Sequence, residues 1–154
     1  MLGAHTKQAM IYLIDFGQAQ TYQDHKTQQH ISYWDNRPFV GMMSFTSIHS
    51  HLGIQSLHHN DIKYLAYVLI YLFCGTLPWD GLQHSHSQII NAKTMLYWLI
   101  IDSSSPSSIP QEFLVLLQYA HELSFTGKPD YDYLHTLFQS LFEESEYQFW
   151  SISV

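Results

Sequence analysis

The longest apolar run lies between Tyr64 and Cys74, where hydrophobic side chains recur at helical spacing and the positions between them are also apolar. This pattern predicts a helix that starts near Asp61, is covered on all sides and ends at Gly75, because Pro78 prevents its continuation. The run is about half of the ~20 residues that a membrane span requires. We therefore expect a buried core helix and no membrane association.

Three more helices are predicted downstream of this run. Apolar spacing predicts one over 88–101, before the loop-like stretch DSSSPSSIP. Ser108 is predicted to cap the next helix, with Gln111 three residues later completing a capping box. The last helix is expected to start near Asp130, a residue type suited to the N-cap position. Its buried face is predicted to comprise Tyr131, Leu134, Leu137, Phe138 and Leu141.

The N-terminal third has a different pattern. Met10–Ile14 is a short β-branched and aromatic run that stops at an Asp-Phe-Gly turn, which predicts a buried strand. From Gln18 to Ser56 no helical period persists, and glycine, proline and polar residues are frequent, so a long ordered loop is predicted. The fold class expected from the whole pattern is mainly α, with a small β element at the N-terminal end.

Composition and charge narrow the classes of function. The chain has 154 residues, the size of one domain, and 46% of them are hydrophobic, which is typical of a folded protein. The formal net charge is −7 and only six residues are Lys or Arg. We therefore expect no nucleic-acid partner, since binding to a phosphate backbone needs clustered cations. The single cysteine, Cys74, lies in the apolar run and is interpreted as a buried thiol in a reducing compartment.

Eleven histidines raise the question of a metal site. They include clusters within 49–51, 58–59 and 84–86. Structural zinc usually takes four ligands, often including cysteines, and one cysteine without CxxC spacing does not match that pattern. We therefore interpret these histidines as surface residues that give the protein a mild pH sensitivity near pH ~6.5.

Five blocks follow one another in a characteristic order: YLIDFGQAQTYQD, HISYWDN, SIHSHLGIQS, YVLIYLFCGTLPWDGL and GKPDYDYLHTLFQSLF. This order resembles the C-terminal lobe of a casein kinase 1 family Ser/Thr protein kinase, from about Ile11 to Phe142. Two features are particular to that family. SIHSHLG at Ser47–Gly53 stands where other kinases carry Ala-Pro-Glu. The blocks LPWDGL and KPDYDYL are close to the sequences that the family has at these positions. The resemblance implies a protein-kinase-like C-lobe without an N-lobe, divided into a remnant at 1–10, a partial kinase domain at 11–145 and a tail at 146–154.

The resemblance implies roles for two residues at the Asp-Phe-Gly turn. Asp15 resembles the magnesium ligand of protein kinases, and Ile14 resembles the residue that lines the floor of the nucleotide pocket. ATP and magnesium are the ligands that the family implies, although no cofactor is expected for the isolated chain. Without the other blocks, the better interpretation would be that Asp15 only caps a turn between strand and loop.

Most of the groups that phosphoryl transfer requires have no match in the sequence. No Gly-rich loop, VAIK-like lysine or HRD-type catalytic loop is found, and the opening MLG resembles the residues directly after that loop. We expect a truncated copy or an incomplete gene model, with no catalytic residues. Asp61 resembles an aspartate that tethers the catalytic loop. Here we expect it to cap its own helix, the alternative being a buried carboxylate short of donors.

Several retained positions differ from the family pattern. Met42 stands in place of a threonine that helps to align catalytic residues, and a thioether cannot replace a hydroxyl donor. Ser44, Gln83 and His86 stand in place of an arginine and two lysines that bind phosphate or acidic groups of substrates. The loss of these three cations is expected to weaken any preference for acidic or pre-phosphorylated substrates.

Two functions are therefore expected. The first is a pseudokinase, a casein kinase 1-like lobe that is inactive alone and at most binds proteins or self-associates through apolar surface left exposed without an N-lobe. The unpaired edge of the Met10–Ile14 strand would belong to that surface. The alternative is a fragment of an active kinase that transfers the γ-phosphate of ATP to protein Ser or Thr. In either case we expect an intracellular location, in the cytoplasm or nucleus.

Overall fold

A computed structural model describes residues 12–32, 34–55, 57–82, 85–101 and 109–151. The chain divides into two compact units, Met1–Ser32 and Tyr33–Val154. The described part of the first unit consists of loops, turns and one short 3-10 helix, whereas the described part of the second unit is built from α-helices. The described part of the chain is therefore mainly helical, as the sequence pattern predicts.

The first unit is held locally by hydrogen bonds to a single aspartate. The carboxylate of Asp24 accepts hydrogen bonds from the backbone N–H groups of Lys26 and Thr27, at 2.9 and 2.7 Å. These bonds, with the one from Thr27 the stronger influence, lower the pKa of Asp24. The turn lies between Gln23 and His30, which form an isolated antiparallel bridge.

The predicted N-terminal strand is wrong for the residues that can be checked. The structure assigns no strand to Tyr12–Ile14, whereas Met10 and Ile11 lie outside the described residues. Leu13 is 81% exposed, so its side chain is not part of a buried strand. A short β-branched run forms a strand only where another strand pairs with it, and no strand occurs in the described part of the chain.

The described residues of the second unit form a four-residue helix and four longer ones. In its described residues, the loop predicted from Gln18 to Ser56 contains the end of a 3-10 helix at Phe16–Gln18, the bridge between Gln23 and His30, and a four-residue α-helix that is too short to give a periodic signal. The helices are α1 (Ile48–His51), α2 (His58–Cys74), α3 (His86–Ile101), α4 (Gln111–Glu122) and α5 (Tyr131–Ser151).

The ends of α2 confirm one prediction and correct another. Gly75 ends the helix with a left-handed backbone (φ 77°), and its N–H donates to the carbonyl of Tyr71 at 2.8 Å. The prediction that Asp61 is the N-cap is wrong, because Leu57 occupies that position without a side-chain cap. Asp61 instead lies in the first turn, where a negative charge interacts favourably with the helix dipole.

The prediction that α2 is covered on all sides is also wrong. Its buried face includes Tyr67 and Ile70, but Leu65 and Leu72 are 51% and 70% exposed. The thiol of Cys74, predicted to be buried, is exposed as well. An all-apolar run does not reveal which of its faces a neighbour covers, and the last turn of α2 is largely uncovered.

The start of α3 is close to its prediction, whereas the cap predicted for α4 is wrong. α3 begins two residues before the predicted position and ends, as predicted, at Ile101. α4 begins at Gln111 with Pro110 as the N-cap residue, which offers no side-chain cap. Ser108, the predicted cap, lies outside the described residues.

The N-cap predicted for α5 is confirmed. The carboxylate of Asp130 accepts a hydrogen bond from the N–H of Tyr133 at 2.9 Å. Leu134 is buried as predicted, but Tyr131 is 55% exposed and its predicted burial is wrong. Leu137, Phe138 and Leu141 are half-buried. The helix continues through Ser151, so the described part of the predicted tail at 146–154 is helical.

Trp79 lies in the centre of the hydrophobic core. It is 1% exposed, meets the ring of Tyr67 edge to face at 5.1 Å, and donates from Nε1 to the carbonyl of Ser44 at 2.8 Å. In the described part of the chain, none of the helices combines the length and apolar character needed to cross a membrane. The other core residues include Ile62, Ala66, Ile70, Ile89, Leu96, Leu114, Leu116, Leu117 and Ala120.

Candidate functional site

The predicted site begins at the Asp-Phe-Gly turn of the first unit. Asp15 has a left-handed backbone (φ 62°, ψ 70°), a conformation that aspartate tolerates better than most residues. Its carboxylate accepts a hydrogen bond from the N–H of Gly17 at 3.3 Å and caps a 3-10 helix at Phe16–Gln18. Asp15 therefore caps a turn in this structure, which is the simpler of the two interpretations that the sequence allows.

The hydrophobic neighbours of Asp15 are exposed. Ile14 is 53% exposed and Phe16 is 64% exposed, so most of each side chain is unpacked. A groove of about 410 Å³ in this unit is lined by mostly polar residues between Gln20 and Gln28 and does not include Ile14 or Asp15. This groove therefore does not lie at the residue to which the resemblance assigns the nucleotide pocket floor.

The described residues around Asp15 do not fit a magnesium–nucleotide site. Such sites hold the metal with one or two carboxylates together with the phosphates. In the described part of the chain, no three His, Cys, Asp or Glu side chains are grouped so as to hold a metal ion. Asp15 supplies one carboxylate, and one of its oxygens already accepts a hydrogen bond. The roles that the resemblance implies for Ile14 and Asp15 stay predictions.

The positions that differ from the family pattern belong to the second unit. The carbonyl of Met42 accepts a hydrogen bond from the hydroxyl of Thr46 at 2.6 Å, and the carbonyl of Ser44 accepts one from the indole of Trp79. His86 is exposed at the start of α3, and Gln83 lies outside the described residues. Met42 and Ser44 thus accept hydrogen bonds that stabilise the segment before α1, and His86 begins a helix. None of these three side chains carries a permanent positive charge.

Lys93 is a buried cation that the sequence pattern does not reveal. It lies on α3, is 1% exposed, and donates from Nζ to the carbonyls of Met43 and Thr46 at 2.7 and 2.5 Å. Its ammonium group is also 5.1 Å from the ring centroids of Tyr67 and Trp79. Lys93 thus links α3 to the segment before α1. A lone lysine within the apolar stretch IINAKTMLYWLI is the only sequence signal for it.

His51 completes the surroundings of Lys93. Its Nε2 lies 3.2 Å from Nζ of Lys93 and 3.2 Å from the carbonyl of Met43. Burial lowers the pKa of Lys93 to about 7. Burial first, and then the charge of Lys93, lowers the pKa of His51 to about 4. His51 is therefore neutral at physiological pH, and its Nε2 can accept a hydrogen bond from the ammonium group when Nδ1 carries the ring hydrogen.

A chain of hydroxyl and amide groups connects α1 to α2. Ser47 caps α1 by accepting from the N–H of Ser50 at 3.2 Å, and its hydroxyl donates to Oδ1 of Asn60 at 2.8 Å. The hydroxyl of Ser50 lies 2.6 Å from that of Tyr64. The block SIHSHLG, which carries much of the family resemblance, therefore acts as an anchor on the first turns of α2.

The interpretation of the clustered histidines as surface residues is wrong for several of them. His59 is 7% exposed, and His49 and His51 are half-buried. His86 is exposed, whereas His84 lies outside the described residues. Sequence alone gives no signal for this burial, because histidine is common both inside and outside proteins.

The family resemblance rests on the sequence blocks, since no protein-family model matches the chain. The mainly helical structure is consistent with a helical lobe. A helical fold by itself does not define a function, which has to be argued from the site.

Proposed function

We propose that this chain is a casein kinase 1-like helical lobe that does not transfer phosphate and acts by binding protein. The observation that carries the proposal is the Asp-Phe-Gly turn, where the carboxylate of Asp15 caps its own turn while Ile14 and Phe16 are exposed. In an active kinase this aspartate holds magnesium and the phenylalanine is packed. The exposure of Phe16 differs from that packed arrangement, and this difference supports the proposal.

The positions of the cations also support a lack of phosphotransfer. The reaction needs positive charge held around the phosphates as they move. The chain has only six Lys and Arg, and two of these, Lys63 and Lys93, are 2% and 1% exposed. Ammonium groups buried in a core cannot reach a nucleotide. Few cations therefore remain to take the place of the missing Gly-rich loop and VAIK-like lysine.

A hydrophobic groove supports the protein-binding part of the proposal. It has a volume of about 410 Å³ and lies between α2, α4 and α5. Leu65 and Tyr131 lie at this groove and are 51% and 55% exposed. Contiguous apolar surface of this kind is typical of interaction sites. The lining residues are Ile62, Leu65, Leu116, Tyr131, Leu134, His135, Phe138 and Gln139.

Self-association through this groove is the form of binding that we propose to test. Sedimentation equilibrium of the purified chain should show reversible association over the micromolar range. Leu65→Glu places a charge at the groove and should raise the dissociation constant at least ~10-fold. Met95→Glu is the matched control, because Met95 is 67% exposed on α3 and does not line the groove. A monomer at every concentration, or an equal effect of both substitutions, would contradict this part of the proposal.

A further inference from the structure

Four basic side chains from three helices meet at one junction of the second unit. His49 comes from α1, His59 and Lys63 from the first turns of α2, and His121 from the last turn of α4. The rings of His49 and His59 lie 5.5 Å apart at 88°. Tyr97 of α3 stacks on the ring of His121 at 3.9 Å. We refer to His49, His59, Lys63 and His121 as the histidine–lysine cluster.

The imidazoles of this cluster have nitrogen atoms that are buried and unpaired. These atoms are Nδ1 of His49, Nδ1 of His59 and Nε2 of His121, none of which has a hydrogen-bond partner among the described residues. In a neutral imidazole the unpaired nitrogen can be the one without hydrogen, so that only an acceptor is left without a partner. In a protonated imidazole both nitrogens carry hydrogen, so each of these atoms would become a buried donor without an acceptor.

The charges that face the cluster are of one sign. Lys63 acts on all three histidines, and they also act on one another. His58, the first residue of α2, adds to the repulsion at His59. The nearest carboxylate on α2, Asp61, interacts with His58. The largest electrostatic influences on the three histidines are positive charges, and the one opposing influence is a side-chain hydrogen bond between His49 and Asn60.

We propose that the histidine–lysine cluster is an acid-sensitive latch, in which protonation of the buried imidazoles separates α1 and the end of α4 from the first turns of α2. At neutral pH the imidazoles are uncharged and the junction is closed. The other buried histidine–lysine contact, between His51 and Lys93, also involves α1, whereas the core residues farther along α2 and α4 are apolar and stay packed. Opening is therefore local.

The direction of the pH effect follows from the lowered pKa values of the three histidines. Burial first, and then the charge of Lys63, lowers the pKa of His59 to about 4 and that of His121 to about 3. The same two causes lower the pKa of His49. An opened junction restores ordinary histidines, which bind protons below pH ~6.5. The open form therefore binds more protons between that value and about 4, so the closed junction loses stability as the pH falls through this window.

Hydrogen exchange of backbone amides tests the latch directly. After correction for intrinsic rates, amides of α1, the start of α2 and the end of α4 should exchange at least ~10-fold faster at about pH 5 than at about pH 7. Amides in the middle of α2 should change less. Uniform acceleration across the second unit, or none at the junction, would overturn the proposal.

Substitution of Lys63 distinguishes opening of the proposed latch from a general sensitivity of the fold to acid. Lys63→Met keeps the shape of the stem, removes the like charge and should move the midpoint of acid opening down by about one pH unit. His25→Gln removes an exposed histidine of the first unit, outside the cluster, and should leave the midpoint unchanged. An unchanged midpoint in Lys63→Met would overturn the proposal. So would ordinary titration of His59 and His121 in NMR spectra of the folded, unmodified chain, a measurement that needs no variant to fold.

Discussion

Among single residues, Lys93 makes hydrogen bonds and aromatic contacts that link α3 to the segment before α1 and to the core. It donates two hydrogen bonds to carbonyls of the segment before α1, and two aromatic rings face its ammonium group. A buried charge is tolerated only when it is well solvated by polar groups, and the two carbonyls with His51 supply that solvation. Removal of the side chain would leave the carbonyl of Thr46 without this donor and the carbonyl of Met43 with only the imidazole of His51 nearby.

Lys93→Met should lower the free energy of unfolding by about 2 kcal/mol near neutral pH, because the carbonyls of Met43 and Thr46 lose their donor. Chemical denaturation measures this loss. Lys128→Met, at an exposed lysine, is the matched control and should have little effect. An unchanged or raised stability of Lys93→Met would show that the ammonium group destabilises the fold more than its hydrogen bonds stabilise it.

The titration of Lys93 gives this prediction a pH dependence. The pKa of Lys93 is about 7 in the folded chain, below its ordinary value of 10.5. The unfolded chain therefore binds more protons between these values, and the contribution of Lys93 makes the folded chain more stable as pH rises through that window. Lys93→Met lacks this contribution. Its deficit relative to the unmodified chain should grow from pH ~7 to pH ~9, whereas a constant deficit would contradict the shifted titration.

At the scale of elements, α5 depends on its N-cap. Asp130→Ala removes the carboxylate that accepts from the N–H of Tyr133 and should lower the free energy of unfolding by about 1 kcal/mol. Asp132→Ala removes a charge from the same first turn but no cap, so its effect should be smaller. Thermal unfolding of the three proteins distinguishes them. Equal losses for the two variants would mean that charge, and not capping, stabilises the start of α5.

The end of α2 gives a second prediction at this scale. Gly75 has φ 77°, and a Cβ at this position would meet no atom within 4 Å. Gly75→Ala should therefore cost about 1 kcal/mol through backbone strain alone. Gly75→Asn should cost less, because asparagine tolerates the left-handed region. If alanine and asparagine were equally destabilising, the left-handed conformation would not be the cause.

The elements that the sequence predicts are those with long periodic patterns or specific end signals. α2, α3 and α5 could be located because apolar spacing persists over several turns, and Asp130 and Gly75 mark ends by their chemistry. The four residues of α1 are too few for a period. The exposure of Leu72 and the burial of Lys93 depend on which neighbours pack there, and no local pattern contains that information. For the candidate site, the sequence locates Asp15 and allows two roles for it, a turn cap or a magnesium ligand, but no local pattern decides between them.

At the scale of the whole molecule, the placement of cations is the dominant feature. The formal net charge is −7, and the buried Lys63 and Lys93 leave four other Lys and Arg residues in the chain. Anionic ligands such as nucleotides are repelled by a surface with this balance. The absence of a nucleic-acid partner and a weakened preference for acidic substrates stay predictions with this electrostatic basis.

The measurement that tests the central claim most directly is turnover of ATP by the purified chain with excess magnesium and a protein substrate. We predict that phosphate release and phosphate transfer both stay at the level of the buffer blank. Asp15→Ala and the exposed control Asp35→Ala should then be indistinguishable from the unmodified chain. Turnover that Asp15→Ala abolishes and Asp35→Ala preserves would contradict the account and identify the Asp-Phe-Gly turn as a working metal site.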